Sequence, residues 1–100
     1  VKMSEVEEAF MRIKTHKGVK GIFITNYSGV AVKSTMSASD THRYGTLLAT
    51  LTQTARSTIR ELDSQNDLVF LRVKSRKHEI LIAPDREYLL VVIQNSDDDQ

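Results

Sequence analysis

Apolar residues recur in this chain at two periods, and the switches between them mark its elements. Val6, Phe10 and Ile13 fall on one face of a helix. Ser4 and Glu7 match a capping box at its start, and Gly18 offers a stop after His16 and Lys17. The spacing predicts a first helix over about Glu5 to Lys17. Val19 to Thr25 is rich in β-branched and aromatic residues and reads as a strand. Asn26-Tyr27-Ser28-Gly29 is a turn sequence in which Gly29 is free to take positive φ, and Val30 to Met36 returns as a second strand near an edge. The period then lengthens again. Tyr44, Leu47, Leu48, Leu51, Ala55, Ile59 and Leu62 predict a long amphipathic helix from Thr41 to Leu62, capped by Ser39 or Asp40. Leu68 to Ser75, Glu79 to Ala83 and Tyr88 to Gln94 read as three further strands, joined by short turns and interrupted at Pro84.

The order is α-β-β-α-β-β-β, and strands joined by short turns pair antiparallel. This predicts an α+β fold with one five-stranded antiparallel sheet. The last three strands carry apolar residues on both parities, so both faces of the sheet need cover. The long helix supplies one cover and the short helix part of the other. The shortfall points to a second copy of the chain, a foreign partner, or both. The alternative is that the first helix and the loops suffice, since small domains tolerate some exposed apolar surface.

Composition narrows the function classes. One hundred residues make one domain, with residues from about 96 onward forming an acidic tail that is expected to be frayed. Fourteen basic and 13 acidic residues leave a formal charge of +1, too balanced for general attraction to nucleic acid or an anionic membrane. No apolar run approaches the roughly 20 residues that cross a bilayer, and the N-terminal residues lack a signal-peptide pattern, so a cytosolic location is expected. With no cysteine, disulfides, thiolate nucleophiles and thiolate metal ligands are excluded.

Candidate chemistry is sparse. His16, His42 and His78 match no metal-ligand spacing, and the glycines match no phosphate-binding loop. Ser39, Asp40 and His42 contain the residue types of a catalytic triad, but neighbours at a helix start point in different directions and suit capping better. Asp85 and Glu87 read as a solvated turn. Lys74, Arg76, Lys77 and His78 form one basic hairpin, without the interleaved aromatics that stack bases. No enzymatic activity and no cofactor are expected.

The second half carries a resemblance. Ala55-Arg56-Ser57-Thr58-Ile59-Arg60-Glu61-Leu62-Asp63 is followed by Asn66-Asp67-Leu68, and then by the run from Phe70 to Ile80. Ala83-Pro84-Asp85 and Val92-Ile93-Gln94-Asn95 complete the string, and Glu5-Val6-Glu7-Glu8, His16-Lys17-Gly18-Val19 and Lys33-Ser34-Thr35 fit its first half. From about Ser4 to Asn95 the chain resembles the roadblock family of dynein light chains. It departs from that family at Gly29-Val30-Ala31, His42 to Gly45, Ser64 and Ser96, as a divergent paralogue would.

The resemblance implies a sheet order of 2-1-5-4-3, with helices on both faces, and a homodimer with one continuous sheet. The expected dimer surface is Tyr44, Leu47, Leu48, Leu51, Ala55 and Ile59 of the long helix, with Leu68, Phe70 and Arg72 of the third strand. The implied partner is a segment of the dynein intermediate chain, and the implied location is cytoskeletal, with cytoplasmic and axonemal dynein both open. More distant relatives act as scaffolds or regulators of small GTPases. An apolar groove beside the first helix suits a helical partner segment, with Phe10 and Ile13 as one wall. Leu81, Leu90 and Val92 are candidates for its floor, the opposite strand parity being open, and Arg76 and Lys77 are candidates for steering an acidic partner.

Overall fold

The computed structural model describes residues 3–96. The elements are α1 (Met3–Ile13), β1 (Val19–Asn26), β2 (Ala31–Ser34), α2 (Ala38–Leu62), β3 (Leu71–Lys74), β4 (His78–Pro84) and β5 (Tyr88–Asn95). The five strands make one antiparallel sheet in the order β2-β1-β5-β4-β3. The predicted order of elements and the implied order of strands are therefore both those of the structure.

Strand parity sorts the apolar residues into two layers. Phe23, Ile82, Leu89, Val91 and Ile93 face α2 and pack with its Leu48 and Ala49. Ile22, Ile24 and Val92 face α1 and pack with Phe10, flanked by Ile13, Leu81, Tyr88 and Leu90. β5 lies between β1 and β4 and sends side chains into both layers, which is why its sequence is apolar on both parities. α2 lies close to β1 because Gly45 carries no side chain there. A Cβ at that position would stand 3.1 Å from the Thr25 methyl and 3.5 Å from the Gly29 backbone. Gly29 itself takes φ +83°, as its turn requires.

Several boundaries differ from the sequence pattern for local reasons. α1 ends at Ile13 and not near Lys17: the Thr15 hydroxyl donates to the Arg12 carbonyl, and His16 N–H reaches only as far as the Ile13 carbonyl, so the helical ladder stops. Ser4 lies inside the helix and does not cap it. The cap of α2 is Ser37, whose hydroxyl accepts from Asp40 N–H, and Ser39 and Asp40 fall within the helix. β2 is shorter than Val30 to Met36. β3 begins at Leu71, not Leu68. Leu71 stands opposite Ile82, so Leu68 to Phe70 would lie opposite the end of β4, where Pro84 has no N–H to give and Asp85 N–H bonds to Tyr88. Ser96 is buried, with its N–H on the Lys77 carbonyl. Asp97, Asp98 and Asp99 lie outside the described residues.

Phe10 is a core residue and not the open groove wall that its sequence position suggested. It is 1% exposed, and the ammonium groups of Lys14 and Lys33 lie 5.9 and 5.3 Å from its ring centroid. Phe10→Ala should lower stability by about 3–5 kcal/mol, the usual cost of removing a buried phenyl ring. Chemical denaturation measures it, and a loss below about 1 kcal/mol contradicts the burial.

Candidate functional surfaces

Three surfaces stand out, and none has the constellation of an active site. The first is apolar and exposed. α2 runs for about 37 Å at 1.5 Å per residue, along a molecule whose longest extent is 39 Å. Its buried residues are Thr41, Gly45, Leu48, Ala49 and Thr52, all in its first two-thirds. From Gln53 to Leu62 no residue is fully buried. Leu47, Leu51 and Leu62 are exposed along the helix, and Val69 and Phe70 are exposed just before β3, with Leu47 at 66% and Val69 at 81%. Arg56 holds the intervening loop to α2 through Asp67 at 3.1 Å.

Of the residues expected at a dimer surface, Leu47, Leu51, Phe70 and Arg72 are exposed, and Tyr44, Ala55, Ile59 and Leu68 are half-buried. Leu48 is a correction: it points into the sheet and belongs to the core. Adjacent residues on a helix diverge by about 100°, so Leu47 and Leu48 cannot serve the same face. Leu62 and Val69 are exposed beside these residues although neither is among those expected at the dimer surface.

The second surface is a groove between α1 and the β4–β5 turn. It has a volume of about 270 Å³ and is lined by Val6, Ala9, Pro84, Tyr88 and Leu90, with Glu5 and Asp85 at its edge. The structure settles the parity left open above: Leu81, Leu90 and Val92 all face α1. Val92 is buried and Leu81 and Leu90 are half-buried. Arg76 and Lys77 are not part of this groove. They occupy the turn at the opposite end of β4, about 20 Å away along a strand of this length.

The third surface is that basic end. Lys20 Nζ approaches His78 Nε2 at 3.4 Å beside a cavity of about 350 Å³. On the α1 face of the hairpin, Arg72 Nε donates to Glu79 Oε2 at 2.6 Å and Gln94 Nε2 donates to Oε1 at 3.1 Å. The Arg72 hydrogen bond, opposed by burial and aided by Gln94, holds the Glu79 carboxyl below its ordinary value.

Ser39, Asp40 and His42 form no triad. Asp40 pairs with Arg43 at 3.4 Å, and His42 Nδ1 lies 3.3 Å from the Gly29 carbonyl. Among the described residues, no group of three or more His, Asp or Glu side chains is placed to hold a metal ion. No helix there is long and apolar enough to cross a membrane.

A five-stranded antiparallel sheet, covered by one short and one long helix, makes a domain of α-β-β-α-β-β-β topology. The model of the Roadblock/LC7 domain matches residues 5–95, and the chain belongs to that family. A Roadblock/LC7 domain from Streptomyces avermitilis superimposes with a TM-score of 0.77 at 10% identity, over 85% of this chain and 72% of that one. Myxococcus xanthus MglB does so with 0.71 at 17%, over 96% and 80%. The gliding protein MglB of Thermus thermophilus gives 0.68 at 14%, over 92% and 70%. At these identities the likeness is one of fold.

The fold favours ionised Glu79, so its contribution to stability is full above the ordinary glutamate range and is lost as pH falls through the lower folded value. A carbon-detected NMR titration should place its midpoint below that range, and Arg72→Ala should return it upward. An unmoved midpoint in Arg72→Ala would remove Arg72 as the main cause.

Proposed function

We propose that this chain is a non-catalytic assembly subunit that works as a homodimer and holds a partner protein. The observation that carries this is the apolar strip Leu47, Leu51, Leu62, Val69 and Phe70. In a chain this small, such a strip on one side of the molecule marks an interaction surface. Pairing two copies through α2 and β3 would cover it. It would also give the free edge at β3 a neighbour, joining two sheets into one and removing an aggregation-prone edge.

Two clients fit such a scaffold. The first is a small GTPase, which the family's more distant members support or regulate. It is favoured by the solved neighbours, which are bacterial and include a gliding protein. The second is a segment of the dynein intermediate chain, in cytoplasmic or axonemal motors, which would make the chain a light chain associated with the cytoskeleton. It is supported by the residue strings of the second half, from Ala55 to Asp63 and from Phe70 to Ile80. In either case the groove between α1 and the β4–β5 turn suits an amphipathic helical segment, and a two-fold dimer offers it twice.

Light scattering at micromolar concentration should give a mass twice the 11.3 kDa of one chain. Phe70→Asp should give monomers or insoluble protein, because it places a charge in the paired edge. A monomeric wild type, or an intact soluble Phe70→Asp dimer, overturns the pairing. Affinity purification from a lysate containing both clients then separates them: a GTPase without intermediate chain selects the first, and intermediate chain selects the second. Nucleotide turnover by the pure protein would contradict the non-catalytic reading.

A further inference from the structure

The basic end of the sheet has a feature that alternation along β1 does not predict. Val19 packs in the α1 layer, and so does Ile22. Between them the pairing with β5 slips, Val19 standing opposite Gln94 and Gly21 opposite Ile93. This is a β-bulge, and it places Lys20 and Gly21 together on the α2 side. Without it, the Lys20 side chain would project toward the α1 layer. With it, the Lys20 ammonium crosses β5 and meets His78 at the start of β4. At Gly21 a side chain would collide with Met36, a Cβ coming within 2.7 Å of its Sδ, so the second bulge residue leaves room for Met36 to pack over the strand.

Two basic side chains are thereby brought together at the mouth of a cavity of about 350 Å³. Its floor is Met36, Tyr44 and Ile93. Arg76 and Lys77 continue the positive charge into the exposed turn beside His78. Among the described residues the one carboxylate on the cavity wall is Asp40, whose contact is with Arg43. Among the described residues the polar side-chain contact of the Lys20 ammonium is the His78 imidazole, and an incoming carboxylate would give it a charged partner.

We infer that this end of the molecule is a second docking surface, for an acidic peptide segment of a partner protein. Its carboxylates would lie across Lys20, His78 and Lys77, and an apolar side chain between them would enter the cavity over Met36, Tyr44 and Ile93. The apolar floor and the positive rim together match a peptide that alternates the two kinds of side chain, whereas a nucleic-acid backbone would use only the rim. The surface lies on the opposite side of the sheet from the α1 groove, so one dimer would hold two different segments of a client at once. The inference stands independently of which client the scaffold serves.

The test uses the full chain, isotopically labelled, titrated with the blocked pentapeptide Glu-Glu-Leu-Glu-Glu and followed through its backbone amides. The shifts should map to Lys20, Gly21, Tyr44, Lys77 and His78, and the affinity should fall as salt is raised. Lys20→Glu should weaken binding by about tenfold or more, as reversal of a contacting charge does. Asp40→Asn should tighten it by removing the opposing carboxylate. Arg86→Glu, on the distant β4–β5 turn, should leave it unchanged, and all three positions are accessible enough for the variants to fold. The inference is overturned if the shifts map to the α1 groove or scatter over the surface. It is overturned equally if Arg86→Glu weakens binding as much as Lys20→Glu, if Asp40→Asn changes nothing, or if an oligonucleotide of equal charge gives the same shifts at the same affinity.

Discussion

The structure depends on covering a sheet that is apolar on both faces. β5 imposes this: it lies inside the sheet, and its side chains enter both layers, so neither face is left to water. The described residues hold two helices with which to answer. α1 is short but holds its layer with one large anchor, Phe10, sealed by the lysines above it. α2 is long but uses only its first two-thirds on the sheet, and the close approach at Gly45 fixes where that contact occurs.

The unused part of α2 and the unpaired residues before β3 lie together because of how the sheet ends. β3 is an edge strand of four residues, and Pro84 stops its pairing with β4 from extending backward. The apolar run Leu68 to Phe70 therefore has no strand partner among the described residues. An overlong helix and an unpaired strand segment side by side are what a second subunit would complete. Among the described residues no group of His, Asp or Glu side chains is placed to hold a metal ion.

The two ends of β4 divide the remaining surface. At one end Pro84 and the β4–β5 turn form an apolar groove with α1, edged by carboxylates. At the other the hairpin turn is basic, and the bulge in β1 adds Lys20 to it. A strand of this length separates them, so a single contact cannot span both, and opposite charge makes them selective for different chemistry.

The sequence by itself determined the kind, number and order of the elements, because hydrophobic period is a local property, and the roadblock resemblance rested on strings long enough to be specific. What it misassigned were faces and ends. Period alone groups Leu48 with Leu47 and offers Phe10 as an open wall, because which side of a helix meets the sheet depends on crossing geometry. The start of β3 was set too early because pairing is decided by the neighbouring strand, and only the fold shows where Pro84 falls opposite it. The meeting of Lys20 with His78 was invisible for the same reason: the two are 58 positions apart, and a single bulged residue chooses the face on which Lys20 emerges. Local chemistry chose the elements, and tertiary structure alone decided which side chains share a surface, since that requires the chain to return to the same place.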